Sequence, residues 1–167
     1  SLKLGRQELS YGDERLVGAF AWNNVGRVFD AAKARWQNQY FAADFFSGRV
    51  IIPDDNNFNM PNDYDWFSGV YLTSKLVPKQ TTELYFLSRN VTEGSPTVLG
   101  AGLPPLLNGP SPRDIYTLGL RVKCNPADWN GWDYATELMG QFGHFNDPAL
   151  PPGTGARSLE QRAYAIY

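Results

Sequence analysis

Alternation of apolar and polar side chains with a period of two constrains the fold of this chain more than any other feature. It is clearest in Ile115–Lys123, where a polar set that includes Arg121 and Lys123 alternates with an apolar set. The apolar set is Tyr116, Leu118, Leu120 and Val122. Because successive side chains of a strand point to opposite faces, this pattern predicts a strand with one apolar and one charged face.

Similar segments recur along the chain and predict about eight strands in an all-β, antiparallel fold. The segments are Ser1–Leu9, Val28–Gln37, Tyr40–Phe46, Asp65–Lys75, Thr82–Arg89, Ile115–Lys123, Trp132–Phe142 and Glu160–Tyr167. The connections between them alternate, mostly long then short, starting with the long Ser10–Gly26. Long loops at one end and short turns at the other are typical of outer-membrane barrels.

Two classes of protein fit this alternation, because each has one apolar and one polar sheet face. In a soluble β-rich module that binds carbohydrate, the apolar faces would form the core. In a membrane barrel, those faces would meet lipid and the charges would line a wet lumen. Aromatic residues near strand ends, where interfacial girdles lie, favour the barrel. They are Trp36, Tyr40, Trp66, Trp132, Phe142 and Tyr167.

The composition excludes several other functions. A net charge of −2 gives no basic surface for nucleic acid, so we expect no nucleic-acid partner. The single cysteine, Cys124, and the single histidine, His144, provide neither a disulfide nor a metal cluster of these residue types. No acid–base constellation is visible, which makes an enzyme such as a β-fold lyase or hydrolase the weakest hypothesis.

Three motifs stand in the first part of the chain: Gly5–Gln7 (GRQ), Tyr11–Leu16 (YGDERL) and Trp22–Asp30 (WNNVGRVFD). In this order they closely resemble the alginate-export family of bacterial outer-membrane β-barrels. Later segments also look like strands of that family: Tyr116–Lys123, Asp133–Gly143 and Arg162–Tyr167.

This resemblance implies an antiparallel transmembrane β-barrel in the outer membrane of a Gram-negative bacterium. We expect residues 1–167 to be a single segment of a longer barrel, completed by further strands or other envelope proteins. The resemblance also implies a passive, porin-like pore rather than an enzyme, with no cofactor and no metal. Its expected partners are outer-membrane lipid and an anionic, alginate-like uronate polysaccharide or oligosaccharide.

The resemblance implies a lumen in which cations attract the carboxylates of the substrate while acidic residues hold those cations in place. By strand parity, the candidate substrate-binding residues are Lys3, Lys33, Arg35, Arg89, Arg121 and Lys123. Their candidate acidic partners are Asp44, Glu83, Asp133 and Glu137.

Two further expectations concern the first strand and the loop after it. Arg6 shares its parity with Leu2 and Leu4, so it lies either above the apolar band or past a bulge. Asp13 and Glu14 are adjacent and would point in opposite directions on a strand, so they make a poor glycosidase pair. We expect them to pair within the loop, with Arg15 or Arg27.

Overall fold

A computed structural model describes residues 1–19, 26–52, 59–92, 112–147 and 158–167 of the chain. The described residues form eight β-strands and one short 3-10 turn, Pro126–Trp129. The strands are β1 (Leu2–Gln7), β2 (Phe29–Gln37), β3 (Phe41–Ile52), β4 (Met60–Ser74), β5 (Gln80–Val91), β6 (Arg113–Cys124), β7 (Ala135–Asn146) and β8 (Ser158–Ile166).

The eight strands form one sheet in which each strand pairs with the next along the chain, and every pairing is antiparallel. β1 and β8 lie at its two edges, so the sheet is not closed within the described residues. The predicted all-β, antiparallel fold with eight strands is therefore confirmed, and the open sheet is consistent with part of a barrel. No helix in the described ranges has the length and apolarity to cross a membrane.

The start of β7 differs from the prediction, which placed a strand over Trp132–Phe142. The strand begins at Ala135, because the preceding chain is turned back. Asn125 accepts a hydrogen bond from the Ala127 N–H at the start of the 3-10 turn. Asn130 and Gly131 then adopt left-handed φ angles of 53° and 89°. The chain therefore cannot extend until after this turn.

All connections that follow odd-numbered strands lie at one end of the sheet, and those that follow even-numbered strands lie at the other. The first group includes the two longest connections, residues 8–28 and 92–112, but also the shorter 53–59. The second group begins with the tight turn 38–40, in which Asn38 accepts hydrogen bonds from the Tyr40 and Phe41 N–H groups. We call the first end of the sheet the long-loop end and the second the short-turn end, although the connection 125–134 at the second end is longer than 53–59 at the first.

The outer face of the sheet carries the apolar side chains. Leu118 is 51% exposed and Leu120 is 39% exposed. Arg121, the next residue of β6, points to the opposite face and is only 5% exposed. Cross-strand register extends these leucines into two successive apolar rows over the sheet. One row is Leu2, Ala34, Phe45, Val70, Phe86, Leu118, Gly140 and Tyr164; the next is Trp36, Ala43, Leu72, Leu84, Leu120, Leu138 and Ile166.

A polar row bounds the outer face toward the long-loop end. A mixed row separates it from the apolar rows and consists of Leu4, Ala32, Ser47, Ser68, Ser88, Tyr116, Phe142 and Arg162. The polar row consists of Arg6, Asp30, Arg49, Trp66, Asn90, Asp114, His144 and Glu160. Arg6 bonds Asp30 at 3.1 Å and donates to the Asn59 carbonyl oxygen at 2.9 Å. Of the two predicted positions for Arg6, the structure therefore supports the one beyond the apolar rows.

The inner face packs the buried core. Phe46, Tyr71, Tyr85 and Leu87 are buried there together with Leu9 from the chain after β1. Gly119 lies beneath Tyr85, where a Cβ atom would come within 2.1 Å of the tyrosine ring. The ring can therefore lie flat across β6 only because this position has no side chain. The orientation of the two sheet faces is the reverse of that in a soluble sandwich, since the leucine-bearing faces of the strands lie outside and their charged faces lie inside.

Candidate functional site

The chain after β1 folds back onto the inner face of the sheet. Residues 8–19, which we call the inner segment, place Leu9 and Val17 in the buried core. Tyr11 stacks on Tyr71 with ring centroids 4.5 Å apart and on Phe46 at 5.2 Å. The inner segment is therefore held against the middle of the sheet by apolar and aromatic packing.

Local backbone geometry lets the inner segment turn within this space. The Tyr11 N–H donates to the Val17 carbonyl oxygen, and the Glu14 N–H donates to the Tyr11 carbonyl oxygen, both at 3.1 Å. Gly12 and Glu14 adopt positive φ angles of 60° and 58°. A Cβ atom at Gly12 would lie 3.1 Å from the Tyr71 hydroxyl, so glycine suits both the conformation and the close approach.

Asp13 joins the inner segment to two cations of β6. Its carboxylate accepts hydrogen bonds from Arg121 and, at 3.2 Å, from the Lys123 ammonium. Arg121 also bonds Glu83, its direct neighbour on β5. The hydrogen bond from Arg121 lowers the pKa of Asp13. The Asp13 carboxylate is therefore ionised at neutral pH and links the inner segment to the sheet by charge.

Arg15 makes a second ionic link, to β7. Its guanidinium bonds Glu137 at 3.0 Å and lies over the Tyr167 ring, 4.7 Å from the centroid. Glu137 is 5% exposed and also accepts a 2.7 Å hydrogen bond from the Tyr85 hydroxyl. The cation and the hydroxyl donor both offset the cost of burying this carboxylate.

A third group of charges lies at the other side of the inner segment. Asp44 accepts a hydrogen bond from Arg35 at 2.8 Å and lies 3.8 Å from the Lys33 ammonium. The same ammonium lies over the Tyr11 ring, 4.7 Å from its centroid. Burial raises the pKa of the Tyr11 phenol, and the negative charge of Asp44 raises it further. Tyr11 is therefore a neutral hydroxyl at physiological pH.

The long-loop end of the inner face carries an arginine cluster, Arg27, Arg89 and Arg113. Arg89 forms a two-pronged ion pair with Asp65, with distances of 3.0 and 2.6 Å. Arg113 lies diagonally next to Arg89 on the same face, because Arg89 pairs in register with Ile115. Burial lowers the pKa of Arg27, and the positive charge of Arg89 lowers it further. The cluster thus concentrates positive charge around one carboxylate.

The structure brings most of the predicted site residues together on the inner face. The ion pairs around the inner segment form three separate groups, which we together call the ionic network. Its predicted cations are Lys33, Arg35, Arg121 and Lys123, with acidic partners that include Glu83. Asp44 and Glu137 complete its predicted acidic members, and Arg89 lies in the arginine cluster. Their contact with a substrate stays a prediction.

Two predicted site residues lie apart from these contacts. Lys3 pairs in register with Lys33 and shares its face, but it lies on the exposed edge strand. Asp133 is exposed in the turn before β7, so its predicted place on the inner face of a strand is wrong.

Sequence reasoning missed the acidic and aromatic residues that organise the site. Asp13 was expected to pair inside its own loop, but its partners are Arg121 and Lys123, more than 100 positions along the chain. Arg15 likewise reaches Glu137 instead of a loop carboxylate. Asp65, the partner of Arg89, could have been found by parity, because it lies on the same strand face as Phe67, Gly69 and Tyr71. Over the described ranges, no group of histidine, cysteine and acidic residues is arranged to hold a metal ion.

Comparison with known proteins adds a family match. The sequence model described as "Alginate export" matches residues 1–166, which is essentially the whole chain. No curated protein sequence matches this chain at a significant level.

Proposed function

Because the chain belongs to the alginate export family, we propose that it forms the wall of an outer-membrane conduit for anionic, uronate-containing polysaccharide. The family consists of export proteins of the outer membrane and is not a family of enzymes. A channel needs an apolar exterior, a charged interior and a way to restrict what passes. The described residues support each of these requirements.

The observation that carries the proposal is the orientation of the sheet. Leu118 and Leu120 lie on the exposed face, while Arg121, the residue after Leu120, is buried on the opposite face and pairs with Glu83. In water this arrangement would leave two apolar rows exposed, which soluble monomers avoid over so large a patch. In a bilayer the same apolar rows are favourable, since they contact lipid tails and not water.

The depth of the apolar surface fits a bilayer. The polar row at the long-loop end includes His144, and hydroxyl residues such as Thr136 flank the apolar rows at the short-turn end. These two positions are eight residues apart, which is about 27 Å along a strand. A tilt of 35–45° reduces this to about 20 Å, close to the apolar band of about 25 Å in outer-membrane barrels.

Charge on the inner face supports an anionic substrate. The ionic network pairs five cations with four carboxylates, which leaves an excess of positive charge. The arginine cluster adds three cations around Asp65. A substrate carboxylate can replace a protein carboxylate on a guanidinium fork without leaving that cation unpaired. Such exchange allows binding that is weak enough for release, as conduction requires.

The inner segment supplies the restriction. It crosses the inner face from Lys33 on β2 to Glu137 on β7 and fixes itself there through Tyr11, Asp13 and Arg15. In the proposed conduit it narrows the passage and lines it with charge. Field lines focused in such a passage raise the local concentration of a polyanion.

Planar-bilayer recording of the full-length protein tests the proposal. We expect anion selectivity in simple salt, and block by a uronate oligosaccharide but not by a neutral oligosaccharide of the same length. Cation selectivity without block would remove the proposed substrate class. A protein that stays in the aqueous phase without detergent would remove the membrane conduit itself.

A further inference from the structure

A groove lies on the outer face of the sheet, where the mixed row meets the apolar row that contains Leu118. It has a volume of about 430 Å³. At both edges of the groove the mixed row is bulky, with Leu4 on β1 and Tyr116 on β6. Between them the floor crosses β2 to β5 on the small side chains of Ala32, Ser47, Ser68 and Ser88. The groove therefore arises from a change of side-chain size along one row of the sheet.

Two phenylalanine rings bound the groove toward the short-turn end. Phe45 is 49% exposed and Phe86 is 40% exposed. Val70 lies between them in register, so the two rings stand two strands apart, with a notch about 10 Å wide over the smaller valine. The Phe86 ring stacks on Tyr116, with centroids 6.0 Å apart, which keeps it upright. The notch is therefore open before any ligand enters it.

Two hydroxyl groups meet in the floor of the groove. The Ser47 and Ser68 oxygens lie 2.8 Å apart. Because only one of the two hydroxyls can donate in this hydrogen bond, the proton of the other is left for an acceptor outside the pair. Ser88 differs, since its hydroxyl donates to Asn90 in the polar row at 2.7 Å. A hydroxyl proton that faces hydrocarbon without an acceptor is costly, so we expect the occupant of the groove to carry an acceptor beside its apolar part.

The position of the groove identifies this occupant. The groove opens on the face of the apolar rows, and its floor lies two residues from the polar row, about 7 Å along a strand. In a phospholipid the ester carbonyls lie at the same depth, between the headgroup and the hydrocarbon chains. If a chain carbon takes the volume of one water molecule in the liquid, the groove holds about fourteen carbons, the length of a common fatty-acyl chain.

We propose that the groove is a site for one acyl chain of an outer-leaflet lipid. The ester carbonyl accepts the spare hydroxyl proton of the Ser47–Ser68 pair, and the chain passes over Val70 between the two phenylalanine rings. The outer leaflet is assigned because the longer loops of outer-membrane barrels lie outside the cell. The site goes beyond the conduit, since it gives the outer wall a ligand of its own, and it shares with the conduit only the orientation of the sheet in the membrane.

Native mass spectrometry of the full-length protein tests this site by counting the lipids that it retains after extraction into mild detergent. The protein is first reconstituted in vesicles of a diester phospholipid with chains of about fourteen carbons, or of the diether analogue, which has no carbonyl. We expect the wild type to retain one diester molecule about threefold to tenfold better than the diether, because the ether oxygen is the weaker acceptor. Ser47→Ala with Ser68→Ala should remove that preference.

A matched pair of variants tests the notch. Val70→Phe fills it and should lower retention of the diester about threefold to tenfold, because packing contacts with the chain are lost. Leu72→Phe is the control, since it adds a ring on the same face of β4, in the next apolar row and outside the groove. Both variants should conduct as the wild type does, because neither changes the inner face.

The outcomes separate the lipid site from the conduit. If Val70→Phe retains the diester as well as Leu72→Phe does, the site is overturned while the conduit stands. Equal retention of diester and diether by the wild type would show that the carbonyl contact is wrong and would overturn the site as proposed. A wild-type dimer that Val70→Phe converts to monomers would mean that a second copy of the chain, and not a lipid, fills the groove. A protein that inserts into neither kind of vesicle would remove the membrane orientation, and the conduit and the site with it.

Discussion

Replacement of Arg121 by methionine tests whether the inner face is a buried, charged interior. Arg121 is 5% exposed and holds both Glu83 and Asp13, whose side chains are 12% and 31% exposed. Arg121→Met keeps most of the side-chain volume but leaves the Glu83 carboxylate buried without its cation. Breaking a buried pair in this way costs about 3–5 kcal/mol. Because Lys123 still contacts Asp13, we expect the lower end of this range, about 3 kcal/mol.

The assay is urea unfolding of the protein folded into lipid vesicles, with the free energy of unfolding compared among variants. Arg162→Met is the control, because Arg162 lies on the outer face beside Phe142, one row from the polar row, and its loss leaves no charge buried in the interior. It should cost about 0–1 kcal/mol. The double variant Arg121→Met, Glu83→Gln should recover part of the loss, since it removes the stranded charge. If Arg121→Met costs no more than Arg162→Met, the inner face is solvated like an ordinary surface and our reasoning is refuted.

Three further predictions test the faces, a close contact and a titration. Leu118→Arg should cost about 2–4 kcal/mol in vesicles, and His144→Arg in the polar row about 0–1 kcal/mol; equal costs would contradict the assigned apolar band. Gly119→Ala should destabilise the fold by about 1–3 kcal/mol by displacing the overlying tyrosine ring, whereas Gly140→Ala, with open space around it, should be neutral in the same unfolding assay. The pKa of Asp13 is lowered in the folded state. Its contribution to the free energy of unfolding is therefore complete above the ordinary aspartate pKa of about 3.9 and is lost as the pH falls through the lower folded pKa. Channel conductance should therefore be constant from neutral pH down to about pH 4 and change below it, and Asp13→Asn should remove that change; a transition near neutral pH would contradict this assignment.

The faces of the strands could be predicted from the sequence because parity is a local property. Once Ile115–Lys123 is extended, Leu118 and Arg121 must lie on opposite faces, whatever the rest of the fold does. The sequence could not decide which face is outside. That depends on what covers each face, and the answer came from the burial of Arg121 beside the exposure of Leu118.

The inner segment could not be predicted for a different reason. Its course depends on positive φ angles at Gly12 and Glu14 and on ion pairs such as Asp13 with Arg121, which join residues distant along the chain. Neither feature produces a periodic pattern. The charged stretch Tyr11–Arg15, with Gly12 in it, indicated a loop, but only the register of β5, β6 and β7 places its partners in reach.

The error at Asp133 has a similar local origin. Alternation alone extended β7 back to Trp132, because Trp132 and Tyr134 continue the apolar set. The Asn130-Gly131 pair marked the turn correctly, but the turn reaches further, since the Trp132 N–H still donates to the Trp129 carbonyl oxygen. Alternation shows which face a residue would take in a strand and does not show where the turn before it ends.

The most direct test of the central claim compares neighbouring residues of opposite faces in the folded, membrane-embedded protein. In a Cys124→Ser background, nitroxide labels on Gln141→Cys and Phe142→Cys occupy adjacent positions of β7, with Leu118→Cys as a second outer site. We predict that the labels at positions 142 and 118 collide with oxygen dissolved in lipid, and that the label at 141 collides with a water-soluble nickel complex. The reverse pattern, or equal access to water at all three positions, would contradict a sheet with its apolar face toward lipid and its charged face around a conduit.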